Sequence, residues 1–281
     1  MFIDTHAHLD YPDFAGDIED VIRRAREHDV ERIITIGTGL ESSRRAVALA
    51  DQFEGVFAVV GVHPTCVEGA PENFAEELAG LLSHPKVVAI GETGLDYHRL
   101  PAEAAPDPIS ALGAASSEVM HADVVNGAYK AAQADAFRVQ LDLAVEHGLN
   151  VVIHQRDAWS DTLEILKPYE GRIRGVFHCF GGTSGQALEV IRAGHLVSFT
   201  GIITFKNAAM VRETAAALPA GSYMVETDCP YLAPVPHRGG RCEPWHTALV
   251  AAAVATARGI TTGQVALETS ATAEGFFAFK K

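Results

Sequence analysis

The chain has 281 residues, of which 48% are hydrophobic and 21% are charged, and this composition excludes a wholly disordered protein. Asp and Glu outnumber Lys and Arg by 36 to 22, and the resulting net charge of −14 argues against a broad basic groove for duplex nucleic acid. No apolar run approaches the roughly 18 residues that a membrane-spanning helix needs, so no membrane partner is expected.

Eight short runs rich in Val, Ile and Phe are predicted strands, and each is followed by a segment with the apolar spacing of a helix. In chain order the runs are Phe2–His8, Arg32–Thr38, Phe57–Pro64, Val87–Asp96, Asn150–Gln155, Gly175–Phe180, Leu196–Gly201 and Ser222–Asp228. Several runs are apolar almost throughout, which is typical of parallel strands covered on both faces. Ile18, Val21 and Ile22 show the helical spacing in the first intervening segment.

The alternation of strands and helices predicts parallel pairing through right-handed crossovers. Eight repeats fit a closed (β/α)8 TIM barrel better than two open sheets. An open doubly wound sheet would be expected to carry a glycine-rich phosphate loop after its first strand, whereas His-Ala-His-Leu-Asp stands there at residues 6–10. We therefore predict an α/β protein with a single TIM-barrel domain over residues 1–281.

The segment Leu100–Lys130 interrupts this alternation between the fourth strand and its helix. It contains Pro101, Pro106 and Pro108 with many Ala and Ser, and a connection of this length is usually functional or disordered. The loops that follow the strands of a barrel open onto its catalytic face. We expect the insertion to cover or flank the site, with a short helix near Ser117–Asn126, or else to be disordered.

Imidazole and carboxylate side chains collect where the predicted strands end, and in a barrel these ends converge on one mouth. The first run ends in an i, i+2 pair of histidines, whose side chains share one face of a strand. An open site with nitrogen and oxygen donors suits Zn²⁺, Mn²⁺ or Mg²⁺. The predicted metal ligands are His6, His8, Glu92, His154, His178 and Asp228.

The charges of these side chains predict how such a site would work. Two divalent ions bridged by Glu92 and a water would lower the pKa of that water towards neutrality and produce hydroxide. Asp228 is predicted to bind one ion and also to accept the proton as general base, so Glu92 and Asp228 are the predicted catalytic residues. The hypothetical division is His6, His8 and Asp228 on one ion, with His154 and His178 on the other.

Three further residues are candidates for substrate binding. His63 could hydrogen-bond a substrate phosphate or the water, or it could be a satisfied histidine of the cleft. Arg156 and Arg238 carry forked donors that suit phosphate oxygens. Structural pairing with nearby carboxylates is the alternative role, and it is less expected for Arg238 in its glycine-rich loop.

The cysteine content and the N-terminus bear on the cellular compartment. The cysteines are Cys66, Cys179, Cys229 and Cys242. They form no CxxC pair and no disulfide framework, and no secretory signal is predicted, so the expected location is the reducing cytoplasm. Cys179 and Cys229 each follow a predicted ligand, and we expect them to point away from it as small buried hydrophobes.

Several longer motifs, taken jointly, are highly specific. They are Asp4-Thr5-His6-Ala7-His8-Leu9, Gly61-Val62-His63-Pro64, Gly91-Glu92-Thr93-Gly94-Leu95-Asp96, His154-Gln155-Arg156-Asp157-Ala158, His178-Cys179-Phe180 and Glu226-Thr227-Asp228-Cys229-Pro230-Tyr231. Through these motifs nearly the whole chain resembles the TatD-type deoxyribonuclease family of the amidohydrolase superfamily. The resemblance implies a barrel hydrolase with one to three divalent ions that acts on ester bonds of DNA, often as a 3′–5′ exonuclease. The implied partner is nucleic acid, as single strands or DNA ends.

The chain departs from the pattern of this family at three places. Gly240 and Cys242 stand where the family commonly has Lys and Asn, and Thr272 replaces a usual Asn near the C-terminus. The insertion Leu100–Lys130 is the third departure. None of them removes a predicted ligand. We expect them to lie around the mouth, where they would affect the choice of substrate.

Two functions are compatible with these residues. The first is a metal-dependent phosphodiesterase acting on DNA from an end, which suits an acidic protein with few basic residues to follow a long duplex. The alternative is a metal-dependent hydrolase of a small amide or carboxylic ester, and an insertion that closed the mouth would favour it by excluding a polymer. A scaffold without activity would have lost ligands, whereas all six are present. The state of assembly is not predicted.

Overall fold

The computed structural model describes residues 1–103 and 115–279. Eight described strands form one parallel sheet, in which the strands neighbour each other in chain order. They are β1 (Phe2–Ala7), β2 (Val30–Ile36), β3 (Val56–Val60), β4 (Val87–Asp96), β5 (Asn150–Arg156), β6 (Gly175–Phe177), β7 (Leu196–Phe199) and β8 (Tyr223–Val225). The predicted α/β class and TIM-barrel architecture are confirmed.

Helices follow the strands in turn and cover the outside of the sheet. They are α1 (Ile18–Glu27), α2 (Leu40–Gln52), α3 (Phe74–Leu82), α4 (Ala115–His147), α5 (Trp159–Leu166), α6 (Ser184–Arg192), α7 (Ala209–Ala217), α8 (Thr247–Arg258) and α9 (Thr262–Phe277). None of the helices in the described part of the chain is long and apolar enough to span a bilayer.

The barrel closes where β1 meets the chain that follows β8. Ala7 forms an isolated parallel bridge with Cys229. The backbone N–H of His8 donates to the carbonyl of Cys229, and the N–H of Asp228 donates to the carbonyl of His6, both at 2.8 Å. The carboxylate of Asp4 accepts hydrogen bonds from the Thr227 backbone N–H at 2.9 Å and from its hydroxyl at 2.6 Å. This seam therefore joins the two chain segments that carry His6, His8 and Asp228.

Apolar side chains form two cores on opposite faces of the sheet. Ile33 belongs to the outer core beneath the helices, whereas Ile34 belongs to the inner core, as the alternation of side chains along a strand requires. The inner core fills the barrel below the mouth. Phe276 and Phe277 of α9 join the inner core from the end of the barrel where the strands begin. No predicted run corresponds to α9, because its sequence mixes Thr, Ser, Ala and Gly with few large apolar residues and shows no clear helical period.

Several strands end earlier than predicted. β3, β6 and β8 end at Val60, Phe177 and Val225, so His63, His178 and Asp228 lie in the loops just beyond them. Single backbone hydrogen bonds replace the ladder there; for example, the N–H of His178 donates to the carbonyl of Ile153 at 3.1 Å. Val62 and Phe180 continue the apolar pattern past β3 and β6, so the sequence pattern does not mark where these two ladders stop. Glu226 and Thr227, which follow β8, are polar but buried.

The predicted short helix near Ser117–Asn126 lies inside α4, which has 33 residues and continues to His147. The helix does not end at Asn126 because the residues that follow are mostly good helix formers, and Phe137, Leu141 and Ala144 bury one of its faces. The remainder of the predicted insertion between residues 104 and 114 lies outside the described residues. Its placement over the mouth stays a prediction.

Replacement of Phe276 by Ala tests the role of α9. Phe276 is 1% exposed in the inner core, so Phe276→Ala should lower the free energy of unfolding by about 3 kcal/mol through lost burial and a cavity. Urea denaturation followed by circular dichroism measures the change. Leu267→Ala is the matched control, because Leu267 lies on the same helix with 69% of its surface exposed. Equal losses in the two variants would contradict this placement of α9.

Candidate metal centre

Irregularities in β1 and β4 direct side chains into the mouth of the barrel. Asp4 of β1 pairs with Ile33 of β2, and Ala7 pairs with Thr35, so three steps along β1 oppose two along β2. β4 has the same irregularity between Ile90 and Thr93, where three steps oppose two along β5. Such bulges change the direction of the side chains within them. His6 lies within the first bulge and Glu92 within the second.

The bulge in β4 requires glycine next to Glu92. Gly91 has a φ of +146°, a conformation that side-chain-bearing residues rarely adopt. A Cβ at this position would lie 2.6 Å from the carbonyl oxygen of Val152 on β5. The Gly-Glu pair of the sequence motif thus has a steric cause, which is the close approach of two strands beside the carboxylate.

Glu92 lies at the centre of a cluster of imidazole rings and is only 3% exposed. Its Oε1 is 2.7 Å from both Nδ1 of His154 and Nε2 of His178. Its Oε2 is 3.4 Å from Nε2 of His6 and 3.8 Å from Nε2 of His8. Four imidazoles, two from strands and two from the loops that follow strands, therefore surround one buried carboxylate.

Asp228 contacts the same two histidines, His6 and His8, as Oε2 of Glu92 does. Its Oδ1 is 3.3 Å from Nε2 of His8 and 3.6 Å from Nε2 of His6. These three side chains also form a group whose ligand atoms all lie within 4.8 Å of one another. The structure thus brings all six predicted ligands into one cluster, and their role as ligands stays a prediction.

The hydrogen bonds of the histidines show whether the cluster suits a cation. Nδ1 of His8 lies 3.2 Å from the carbonyl oxygen of Ile36, which accepts only, so the proton is on Nδ1 and the lone pair of Nε2 faces Asp228. His6 is fully buried, and neither of its ring nitrogens has a hydrogen-bond partner. Lone pairs that face carboxylates, and buried nitrogens without partners, are unfavourable unless a cation lies between them. The donor set fits divalent metal.

Burial and the neighbouring histidines act in opposite directions on the pKa values of the two carboxylates in the cluster. Burial alone would raise the pKa of Glu92, but His178, His63 and His6 hold it well below its ordinary value. Burial would likewise raise the pKa of Asp228, but the contact with His8 and the charge of His6 hold it below its usual range. Both carboxylates are therefore anions at neutral pH, which is the state that metal binding needs.

Two carboxylates that were not predicted as site residues orient predicted ligands. Oδ2 of Asp96 lies 3.1 Å from Nε2 of His154 and accepts a hydrogen bond from it, which leaves Nδ1 of that ring free on the side of Glu92. Oε1 of Glu226 lies 3.6 Å from Nδ1 of His178. Their spacing in the sequence could have identified both residues. Asp96 ends the same strand as Glu92, and Glu226 precedes Asp228 by two residues.

Glu226 is close enough to His6 and His178 to be considered a ligand itself. Both of its oxygens are already engaged, however. Oε1 accepts from the backbone N–H of Cys179 at 2.7 Å, and Oε2 accepts from the hydroxyl of Ser198 at 2.6 Å. These contacts favour a carboxylate that positions His178 over one that binds metal directly.

The predicted substrate-binding residues do not all lie together. His63 borders the cluster, with Nε2 3.6 Å from Oε1 of Glu92. Arg156 is exposed at the end of β5 and lines the adjoining cavity. The Arg238 guanidinium lies 3.8 Å over the ring of Phe205 and is not among the residues that line this cavity. Binding of substrate by these three residues stays a prediction.

The two cysteines that follow predicted ligands differ in placement. Cys229 is fully buried, in agreement with the expectation. Cys179 is half-buried and borders the cavity, because its φ of +48° turns the chain just after His178. Burial raises the pKa of the Cys179 thiol to about 12, so the thiol is protonated at neutral pH and is a poor metal ligand.

A cavity of about 1460 Å³ opens above the cluster. His8, Glu92, His154, His178 and Asp228 line its floor, while His6 lies behind them. Ligand cavities for small molecules are usually about 300–1,000 Å³. The cavity of this protein therefore exceeds what a small ligand requires.

Comparisons with known proteins assign the chain to a family. The profile of the TatD related DNase family matches residues 3–278. The chain is 35% identical over 279 residues to the uncharacterized metal-dependent hydrolase YabD of Bacillus subtilis, covering 99% of each chain. It is 31% identical over 280 residues to the 3′-5′ ssDNA/RNA exonuclease TatD of Klebsiella pneumoniae, covering 98% of this chain and 97% of the relative.

The crystal structure of YjjV, a TatD homolog from Escherichia coli, is similar to the whole fold, with a TM-score of 0.81 and 28% identity over 99% of this chain and 98% of the other. The chain belongs to the TatD related DNase family, and the resemblance inferred from its motifs is confirmed. The coarser functional prediction, a metal-dependent hydrolase of this family, is also supported by these relatives and by the ligand groups described above.

Replacement of Asp96 tests the positioning of His154. Asp96→Asn keeps the size of the side chain but removes the charge that holds the His154 ring, so the affinity for a divalent cation should fall about 10- to 100-fold. Isothermal titration calorimetry of metal-free protein with Mn²⁺ or Zn²⁺ measures this affinity. Asp157→Asn is the matched control, because Asp157 pairs with His98 outside the cluster. Unchanged affinity in Asp96→Asn would rule out this role.

Proposed function

We propose that this TatD-family chain is a metal-dependent phosphodiesterase that removes nucleotides from the ends of single-stranded DNA. The observation that carries the proposal is the buried Glu92 at the centre of the imidazole rings, beneath a cavity larger than a small ligand needs. The Klebsiella pneumoniae relative, named as a 3′-5′ ssDNA/RNA exonuclease, supports the choice of a single strand. The net charge of −14 also favours a strand end over a long duplex.

The proposed cofactors are two divalent ions, Mg²⁺, Mn²⁺ or Zn²⁺, held with Glu92 between them. His6, His8 and Asp228 would hold one ion, and His154 and His178 the other. When bound, such ions polarise a phosphoryl oxygen and lower the pKa of water. Oε1 of Glu92 contacts the second group of residues and Oε2 the first, which supports its placement between two cations.

Asp228 is the proposed general base. Its side chain is 16% exposed, so it is reached from the cavity, and its lowered pKa keeps it ionised at neutral pH. An ionised carboxylate at this position can accept a proton from the attacking water. Nε2 of His8 lies 3.3 Å from Oδ1 of Asp228, so a cation held by His8 would also contact this carboxylate.

His63 is the proposed donor to the substrate phosphate. Its Nδ1 accepts a hydrogen bond from the backbone N–H of Thr65 at 3.1 Å, and burial lowers its pKa to about 4, so the neutral ring carries its proton on Nε2. Nε2 faces Glu92 and the cavity floor. A ring protonated there donates to a phosphoryl oxygen and does not bind metal.

Hydrolysis of a small amide or carboxylic ester remains the competing function, because the same cations would polarise a carbonyl oxygen. The size of the cavity favours the polymer. Assays of purified protein on single-stranded DNA, beside a panel of small esters and amides, distinguish the two. We expect mononucleotide release from DNA that stops when a chelator is added.

The same assay includes two variants. Glu92→Ala should abolish the release of mononucleotides because the group between the cations is lost. Asp228→Asn should retain the fold by circular dichroism but lose most of kcat, because the base is removed while the shape is kept. Turnover of carbonyl substrates alone would refute the phosphodiesterase proposal. Near-wild-type turnover in Asp228→Asn would refute the assignment of the base.

A further inference from the structure

The walls of the cavity differ in charge. Among the described residues, its cationic lining consists of Arg99, Lys130 and Arg156, and all three lie on the side formed by the ends of β4 and β5 and by α4. This clustering is unusual in a chain with 22 cationic and 36 anionic side chains. The ion pairs of Glu92 and Asp228 within the described residues all involve histidines, so the buried carboxylates of the metal cluster do not need these cations.

Glutamine side chains of α4 fix the position of Lys130. Gln133 accepts a hydrogen bond from the backbone N–H of Asp96 at 2.9 Å and donates to its carbonyl at 3.1 Å. Gln140, two turns later, bonds both backbone groups of Val62 in the same way at 2.8 and 3.0 Å. Lys130 precedes Gln133 by three residues and shares its helix face, which places Lys130 at the rim.

An aromatic ring supports Lys130 in this position. Its Nζ lies 4.6 Å from the centre of the Tyr97 ring, a cation–π contact. Tyr97 in turn donates its backbone N–H to the carbonyl of Arg156 at 2.9 Å, so it joins two of the three cationic residues. Arg99 follows Tyr97 by two residues. The three cations thus have a common support at the end of β4.

The acidic residues on this side of the cavity have other partners. Asp157 pairs with His98 at 2.8 Å, Asp161 accepts from the hydroxyl of Tyr97 at 3.0 Å, and Asp96 contacts His154. No ion pair joins an acidic residue of the described part of the chain to Arg99, Lys130 or Arg156. Within the described ranges, the three cationic side chains that line the cavity thus have no acidic partner.

The opposite wall is aromatic and apolar. Tyr11 stacks on His8 with ring centres 4.7 Å apart, and Tyr231, which is 55% exposed, lies edge-on to Tyr11. Leu232, next to Tyr231 in the chain, also lines the cavity. Bases of a single strand stack on such surfaces, whereas its phosphates need cations. The two walls match the two sides of a single nucleic-acid strand.

We propose that Arg99, Lys130 and Arg156 form a subsite for the phosphates that neighbour the scissile bond of a single strand. This inference rests on the proposed function and deepens it, because it names the wall along which the strand continues. Lys130 belongs to the segment in which the chain departs from its family, so the insertion contributes a residue to the subsite.

The experiment compares Lys130→Gln, Arg99→Gln and Arg156→Gln with the wild type. Binding of a short labelled oligothymidylate is measured by fluorescence anisotropy across a range of salt, with a chelator and again with Ca²⁺. Hydrolysis of bis(4-nitrophenyl) phosphate, which has one phosphate and no neighbour, is measured in parallel. Lys86→Gln is the matched control, because Nζ of Lys86 also lies 4.6 Å from an aromatic ring, that of Phe57, at the opposite end of the barrel.

Each of the three variants should weaken oligonucleotide binding about fivefold and reduce the slope of log affinity against log salt by about 0.7. The hydrolysis of the small diester should not change in Lys130→Gln and Arg99→Gln, and Lys86→Gln should match the wild type in both assays. Absent binding, or binding that is insensitive to all three replacements, would overturn the subsite even if the diester is hydrolysed. Binding that depends on Arg99, Lys130 and Arg156, without any hydrolysis of the diester, would support the subsite and count against the proposed function.

Discussion

Two carboxylates enclosed among imidazole rings are the constraint on which this site depends. Glu92 is almost fully buried, yet five imidazoles approach it within 4 Å, including His63. His8 donates a hydrogen bond to the carbonyl of Ile36, and His154 donates one to Asp96. The lone pair on the second nitrogen of each ring therefore points at a carboxylate of the cluster. Such an arrangement is repulsive in a medium of low dielectric constant unless cations separate the groups. Metal binding and the stability of the barrel mouth are therefore linked.

Closure of the barrel brings these carboxylates and imidazoles together. The seam between β1 and the chain after β8 brings His6 beside Asp228 through backbone hydrogen bonds. The bulges of β1 and β4 turn His6 and Glu92 towards the same point. Buried carboxylates then hold the rings from behind, as Asp96 does for His154. On the rim, α4 and the ends of β4 and β5 supply cations, so the charge of the cavity changes from the floor to the wall.

Much of this arrangement could be predicted from the sequence, since eight apolar runs and the convergence of parallel strand ends suffice to place the six predicted ligands at one mouth. The pattern did not locate the ends of β3 and β6, because apolar residues continue where the ladder stops, and it did not locate the end of β8, where the ladder gives way to buried polar residues. It also did not identify Asp96 and Glu226 as positioning residues, or predict that Arg238 lies on Phe205, because these contacts depend on loops that no periodicity describes. The sequence also did not place Lys130 at the cavity, because its position depends on the hydrogen bonds that the glutamines of α4 make to the ends of other strands.

Anomalous X-ray scattering from crystals grown with Mn²⁺ tests most directly whether cations balance the buried carboxylates. Two peaks are expected, one within about 2.2 Å of donor atoms of His6, His8 and Asp228 and one equally close to His154 and His178, with Glu92 in contact with both. A map without peaks in this cluster, or with manganese bound only elsewhere on the protein, would contradict the assignment.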